Sequence, residues 1–519
     1  MTFTSLAELL EHDGAPDPLV WCEGAWSTRA DVRTQARAVA GTLGEIGVRA
    51  GEIVVSLRSS LPAAVAAMFG VWGAGAALAP LNPRLTATEL AAALALLRPR
   101  AVVADPTLDP AHRAAVRSAG CALVVDGAVR ARLAPASADP TGPVALDPVQ
   151  LDPGIALVLT TSGTTGPPKP VMLRHASVLG GLDAVLGTIG GGSRSSTPPR
   201  APRPNLVTFA LNFWSGIYSV CFALRVGAPI VLLPRFDARD LARLVREFDI
   251  TSCVLAPAML AALLDASDLT DLAPLKLVRN GTAPLSPVLA RRFHERFGIP
   301  VLNGYGQTEL GGEVVGWSAG DVRDFGDRKL GAVGRPHPNV EVRIVGDDGA
   351  AVPAGEVGEI CVRTRSAMAG YLDGSGDTTR FTDDGLLRTG DLGRFDDDGF
   401  LWLEGRRTDV INRSGLKVFP GEVEEALRAH PDVADVAVAG VPDDRVGEVP
   451  WAFVVGRNPS PADGLARPPT EALAQELDAF ARERLVAYKV PARFVFVDVL
   501  PRNDIGKVLR HELQAMATA

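Results

Sequence analysis

From about residue 150 to 310, apolar runs of strand length alternate with stretches of helical period, the signature of an α/β arrangement. The runs at 155–160, 205–211, 229–233, 251–255 and 275–278 predict buried strands of a mostly parallel sheet. Between them Leu241, Leu244, Val245 and Phe248 recur at i, i+3, i+4, i+7. A second helix is announced by Ser286 as N-cap, Pro287 at its first position, Leu289, Phe293 and Phe297 on one face, and Gly298 just past its end.

Between about 330 and 405 the period becomes two, as in Val340, Val342 and Ile344, with Asp-Asp-Gly turns at 347–349 and 397–399. Antiparallel hairpins forming a small β-barrel are expected there. After Arg406 a compact α+β pattern follows, with helices at 422–429 and 471–485 and strands at 433–441, 451–455 and 494–497. The expected organisation is a large domain over 1–405, made of α/β sheet subdomains plus the barrel, a hinge at 406–410, and a small mobile α+β domain over 411–519. Residues 190–205 and 457–470 read as loops. The uncharged stretch 61–81 has the length of a membrane span, but Pro62, Gly70, Gly73, Gly75 and Pro80 predict a buried helix, a turn and a strand instead.

The 519 residues suffice for roughly three or four domain-sized units at about 150 residues each. With 47% hydrophobic and 22% charged residues the chain is ordinary globular material. A net charge of −8 and no Lys/Arg block argue against a nucleic-acid partner. Five scattered cysteines, Cys22, Cys121, Cys221, Cys253 and Cys361, never in C-x-x-C spacing, argue against a disulfide framework or a zinc site and fit a reducing cytoplasm. The N-terminal stretch has acids at Glu8, Glu11 and Asp13 and no basic segment, so no secretory signal is expected.

The run ending at Thr160 leads into Thr161-Ser162-Gly163-Thr164-Thr165-Gly166-Pro167-Pro168-Lys169. Glycines let backbone N–H groups close on an anion, the hydroxyls add donors, and Lys169 supplies a compact positive charge. This is a phosphate cradle, though not G-x-x-x-x-G-K-[ST], because Pro168 stands in the second glycine's place and Pro170 follows the lysine.

The cradle is followed in order by NGYGQTE (303–309), RTGD (388–391), GRRTDVI (405–411), SGLKVFPGEVE (414–424) and PRNDIGK (501–507). This series resembles the adenylate-forming superfamily of acyl-CoA synthetases, peptide-synthetase adenylation domains and luciferases, over essentially the whole chain, and is most like an acyl-CoA ligase. The resemblance implies ATP, Mg²⁺ and coenzyme A as cofactors. A carboxylic acid would be activated as its acyl-adenylate, with AMP as a product, and then passed to a thiol.

By resemblance, Thr161 to Gly166 and Lys169 would hold the β- and γ-phosphates. Thr308 would touch the α-phosphate, and Glu309 would ligate Mg²⁺. Tyr305 would stack on adenine beside Gly281, Thr282 and Ala283, and Asp391 and Arg406 would meet the ribose. Lys507 would bridge the carboxylate and the α-phosphate. In the second half-reaction a swing about 406–410 would remove Lys507 and bring in Ser414, Gly415 and Lys417, leaving room for a pantetheine arm. Lysine usage is a check independent of resemblance: only six lysines stand against 46 arginines, and three of the six, Lys169, Lys417 and Lys507, fall in these motifs.

Asn212, Phe213 and Trp214, with Gly304 and Gly306, are the expected acyl pocket. Amino-acid-activating relatives carry an Asp where Trp214 stands, so an α-amino acid is not expected, and a hydrophobic, aromatic or polycyclic acid is. Pro170 replaces the usual glycine, removes an N–H and biases Lys169 towards an extended backbone. Three alternatives follow: a chain that mainly thioesterifies a supplied acyl-adenylate, an enzyme that loads a carrier-protein thiol in place of CoA, and a non-enzymatic binder of nucleotide or acyl-adenylate. The sequence leaves the oligomeric state open.

Overall fold

The computed structural model describes the chain except residues 1–2, 13–15, 60, 126–127, 132–146, 162–168, 190–201, 284, 327, 375–379, 458–470, 504–505 and 519, and the side chains of 128–131, 161 and 518. Its largest sheet has eight strands, in the order Gly370–Tyr371, Lys169–Arg174, Ile155–Thr161, Ala77–Pro80, Ile53–Leu57, Ala101–Ala104, Ala122–Val125 and Ala128–Ala131. The five strands from Ile155–Thr161 to Ala122–Val125 run parallel and read as continuous apolar runs because both faces are covered. The uncharged segment 61–81 supplies the buried helix Pro62–Gly73 and the strand Ala77–Pro80, as expected. Trp72 Nε1 of that helix donates to the Ala156 carbonyl at 2.9 Å, pinning it to the sheet. Among the described residues no helix is long and apolar enough to cross a membrane.

The five strands expected in one sheet are divided among three. Ile155–Thr161 belongs to the eight-stranded sheet, Asn205–Val207 and Ile230–Leu232 pair with Val20–Cys22, and Ser252–Leu255 and Leu277–Asn280 form a parallel trio with Val301–Asn303. Periodicity reports that a strand is buried but not which distant strand it pairs with, and the N-terminal partners lie far off in sequence. The last two sheets adjoin where Thr208 Oγ1 donates to the Val254 carbonyl at 2.6 Å. They share one apolar core through Val231, Leu241, Leu255, Val278 and Phe293.

Helix Ala238–Glu247 buries Leu241, Leu244 and Val245, as its spacing predicts. Helix Pro287–Phe297 is capped by Ser286, whose hydroxyl accepts from Leu289 N at 3.5 Å, and it ends at Gly298 with φ of 69°. The β-rich stretch forms an antiparallel path Glu341–Val345, Gly358–Arg363, Leu387–Phe395, Leu401–Arg406. A second antiparallel sheet joins Tyr305–Gln307, Gly312–Gly316 and Arg335–Pro336.

The C-terminal segment packs round its own core of Val423, Leu427, Val436, Val438, Val454, Leu477 and Ala481. Its sheet joins Leu416–Val418, Ile411–Arg413, Gly447–Gly456 and Val433–Asp443, with Arg493–Phe496 paired in parallel with Gly447–Gly456. The five cysteines are free and buried.

Candidate active site

The parallel trio ends at Asn280 and Asn303, whose side chains bond at 2.8 Å. Asn280 Nδ2 also donates to the Ala283 carbonyl at 3.0 Å, which shapes the turn Gly281-Thr282-Ala283. Beyond Asn303 the chain passes through Gly304 into Tyr305–Gln307. Tyr305 is 5% exposed, and its hydroxyl donates to Asp391 Oδ2 at 3.0 Å. Gln307 Nε2 donates to the same oxygen at 2.5 Å, and Arg406 Nε stands 3.2 Å from Oδ1. Asp391 and Arg406 face each other in register on adjacent strands, so the sheet itself holds this pair together. Burial and then the Asp391 charge push the Tyr305 hydroxyl well above its usual pKa, so it stays a donor.

Lys507 reaches this cluster from the other end of the chain. Its turn is closed by Lys507 N donating to Asn503 Oδ1 at 2.8 Å and Asn503 N donating to the Lys507 carbonyl at 2.9 Å. Gly506, at φ of 81°, lies against the large domain: a Cβ there would meet Ala258 Cβ at 3.5 Å. Burial first, then the positive charge of Arg406, bring the Lys507 pKa down to about 8 against the opposing pull of Asp409 and Asp391. Lys507, Asp391 and Arg406 therefore share one electrostatic environment.

Of the phosphate loop, Ser162, Gly163, Thr164, Thr165 and Gly166 lie outside the described residues. The loop's base is fixed because Thr161 pairs directly with Lys169 across an antiparallel ladder. Pro170 sits inside this strand, opposite Thr160, and its carbonyl accepts from Leu372 N at 2.9 Å, so Lys169 is extended, as Pro170 predicts. Lys169 Nζ lies 5.4 Å from the centre of the Tyr371 ring, and the Tyr371 hydroxyl donates to Glu309 Oε1 at 3.0 Å. Lys169 and Glu309 thus flank one aromatic ring. Thr308 and Glu309 sit on the one-turn helix Thr308–Leu310, which ends in Gly311 at φ of 72°.

Ser414, Gly415 and Lys417 are not brought to this place. Ser414 and Gly415 form the tight turn between Ile411–Arg413 and Leu416–Val418, both at positive φ, and Lys417 Nζ bonds Asp347 Oδ2 at 2.9 Å on the exposed side of the β-rich sheet.

Where the acyl pocket is expected, Phe213 is the N-cap residue of helix Trp214–Arg225, which starts beside the glycine-rich hairpin. A Cβ on Gly306 would lie 1.9 Å from the Gly312 carbonyl, and one on Gly312 would lie 3.3 Å from Tyr218 Cε2, so backbone and helix meet there with no room to spare. Asn212 faces another way, into a small cavity with Ser56, Arg58 and Met68. Glu313 pairs with Arg279, accepts from His337 Nε2 at 3.1 Å, and His337 Nδ1 meets Thr188 Oγ1 at 2.8 Å. Burial would raise the Glu313 pKa, but Arg279 and His337 outweigh it and hold the carboxyl below its usual range.

The sequence reading did not place Gln307, Tyr371, Tyr218, Arg279, Glu313 or His337 in the site. Gln307 lies inside a motif that it did quote. The charge in Gly312-Glu313-Val314-Val315-Gly316, alone in an apolar strand pattern, was a visible signal of a buried, partnered carboxylate.

The chain matches the AMP-binding enzyme family over residues 13–372 and the AMP-binding enzyme C-terminal domain over residues 422–507. It is 33% identical to 4-coumarate–CoA ligase-like 9 of Oryza sativa subsp. japonica, over 94% of this chain and 87% of that one. It is 32% identical to a feruloyl-CoA synthase of Amycolatopsis sp, over 95% of this chain and 94% of the relative. ATP-bound MatB from Rhodopseudomonas palustris superposes with a TM-score of 0.84 at 26% identity, covering 99% of both chains.

Proposed function

The chain belongs to the AMP-binding enzyme family, an adenylate-forming acid–thiol ligase that uses ATP and CoA, and from that premise we propose that it activates a hydrophobic aromatic carboxylic acid in two steps served by two lysines. In the first step an acid oxygen attacks the α-phosphorus of ATP and displaces pyrophosphate. In the second a thiol sulfur attacks the acyl carbonyl and displaces AMP. The first barrier is charge build-up at phosphorus, so positioned cations matter more than a side-chain nucleophile.

The observation that carries the reading is the position of Lys507. It is docked by Gly506 on Ala258 and shares the field of Asp391 and Arg406. There its ammonium would bridge the incoming carboxylate and the α-phosphate, with Thr308 adding a hydroxyl donor. Tyr305 and Gln307 hold Asp391 Oδ2, leaving lone pairs on the carboxylate for ribose hydroxyls. Lys169 and the loop rising from its strand would take the outer phosphates.

Mg²⁺ fits the oxygen donor of Glu309, which Tyr371 orients through one carboxylate oxygen. When bound there, the cation would neutralise phosphate charge. The thiol step would need Ser414, Gly415 and Lys417, which the present arrangement keeps outside, so the small lobe would reorient about 406–410 between steps. The relatives named for coumarate and ferulate, together with Trp214 and the glycine-walled hairpin, support an aromatic acid.

The test is a panel of carboxylic acids with ATP and Mg²⁺, read separately for pyrophosphate and for thioester, with CoA and a holo-carrier protein side by side as acceptors. Aromatic acids are expected to give both products. If aliphatic acids are consumed and aromatic ones are not, the substrate assignment fails. If thioester forms only from supplied acyl-adenylate, the first step has been lost at the Pro170 loop.

A further inference from the structure

Lys507 is held in place by more than its own turn. Leu509 N donates to the Pro501 carbonyl at 2.9 Å and Val508 bridges Arg502, so the chain leaving the lysine is tied back to the chain that reaches it. Three residues past Lys507, Arg510 opens the last helix, Arg510–Thr518, and its guanidinium uses all three nitrogens. Nε donates to the Val438 carbonyl at 3.1 Å, Nη1 to Asp409 Oδ2 at 3.2 Å and Nη2 to Glu424 Oε1 at 2.7 Å. The same Glu424 oxygen accepts from Val438 N at 2.9 Å. One planar group thus joins the last helix, the hinge segment, helix Pro420–Arg428 and strand Val433–Asp443.

Glu424 is buried. Burial alone would raise its pKa, but Arg510 and then Arg428 outweigh it and keep the carboxylate ionised. A fixed fork of N–H groups suits this three-way junction, and the single compact charge of a lysine does not reproduce it. The junction bears on Lys507 in two ways: it fixes the backbone three residues on, and it supplies two of the charges that the ammonium faces. Those charges are Arg406 and Asp391 from the β-rich sheet, and Asp409 and Arg510 from the junction, with Glu424 behind Arg510.

We propose, resting on the role given to Lys507 above, that Arg510 is a positioning residue for the adenylation step: by clamping Asp409 of the hinge to Glu424 and Val438 of the small lobe, it sets the place from which Lys507 reaches ATP and the acid. Misplacement of a reacting group by about 1 Å costs about 100-fold in rate, so the clamp acts on adenylation without touching substrate. An ion pair that merely supported the lobe would weaken both half-reactions alike.

The experiment measures each half-reaction on the purified full chain: acid-dependent pyrophosphate release, and thioester formation from CoA and supplied acyl-adenylate. Arg510→Lys keeps the charge beside Glu424 and removes the fork. It is expected to lower kcat for pyrophosphate release about tenfold or more, with KM for ATP and for the acid, and the rate of thioester formation, each within about threefold of the parent. Arg510→Gln removes a positive neighbour of Lys507 and Asp409→Asn a negative one. The high-pH fall in kcat/KM for adenylation, which follows loss of the Lys507 proton, is expected to move to higher pH in the first and to lower pH in the second. Because Arg510→Gln leaves Glu424 with less compensation and risks the fold, the near-isosteric Asp409→Asn keeps this readout available. Undiminished pyrophosphate release by Arg510→Lys, equal losses in both half-reactions, or an unmoved pH profile in Asp409→Asn overturns the proposal. If Lys507→Ala itself releases pyrophosphate at the parent rate, the role of Lys507 falls and this inference with it. Loss in Lys507→Ala beside full activity in Arg510→Lys overturns this inference alone.

Discussion

Lys417 Nζ lies 2.9 Å from Asp347 Oδ2, on the outside of the β-rich sheet and away from Asp391 and Arg406, which are the neighbours of Lys507. Both members of this pair are well exposed, so the contact contributes little stability and is readily exchanged for water. Two lysines of one small lobe are therefore presented to different surroundings at the same moment.

This arrangement predicts a division of labour. Lys507→Ala is expected to lower acid-dependent pyrophosphate release by about 100-fold or more while leaving thioester formation from supplied acyl-adenylate within about threefold. Lys417→Ala is expected to do the reverse, reducing thioester formation about tenfold. Rapid-quench measurement of each half-reaction decides the matter, and equal losses in both steps for either variant would refute the division.

The pH dependence of the first step follows from the buried ammonium. Lys507 has a pKa brought down to about 8 by burial and by Arg406, and in the role proposed for it the charged form would serve the reaction. Below pH 8 that form predominates, so kcat/KM for adenylation is expected to be flat. It should fall about tenfold per pH unit as the ammonium deprotonates above 8. Bound ATP adds negative charge and raises the pKa, so the limb in kcat should lie at higher pH. Thioester formation from supplied adenylate should lack this limb, and a profile for adenylation that stays level to pH 9.5 would exclude the assignment.

Asp391 is the meeting point of Tyr305, Gln307 and Arg406. Asp391→Asn keeps the shape but removes the charge beside Arg406 and Lys507. The expected result is a ten- to 100-fold loss (order of magnitude) in kcat/KM for ATP with a smaller change for the acid, measured by varying each substrate at saturation of the other.

Phe293 is wholly buried on the inner face of helix Pro287–Phe297. Phe293→Ala should destabilise the large domain by about 3–5 kcal/mol. A denaturant titration that shows no shift of midpoint would contradict that packing.

The elements most legible in the sequence were those fixed by local chemistry. Ser286, Pro287 and Gly298 delimit a helix because capping and left-handed backbone preferences act within a few residues. The turn at 347–349 is closed by Ala350 N donating to Asp348 Oδ1 and by Gly349 at φ of 82°. The division of the strands among three sheets was not legible, because strand partners are chosen by faces that meet only after folding. In the site, the motifs supplied Tyr305, Asp391, Arg406 and Lys507, and the fold groups these four. Tyr371 and Arg279 were hidden because neither lies in a conspicuous motif: Tyr371 reaches Glu309 from a two-residue strand, and Arg279 reaches Glu313 across 34 positions.

Asp409 is fastened on its C-terminal side: Arg510 Nη1 stands 3.2 Å from its carboxylate, and Arg510 Nη2 donates at 2.7 Å to Glu424, itself buried and bonded to Val438 N. On the other side Arg406 is paired in the sheet with Asp391. Between these two anchors lie only Arg407, whose guanidinium stands 3.3 Å from Glu359, and Thr408. The reorientation proposed above would be confined to so short a stretch that it would work like a two-position latch rather than a loose tether, with the lobe turning as one piece.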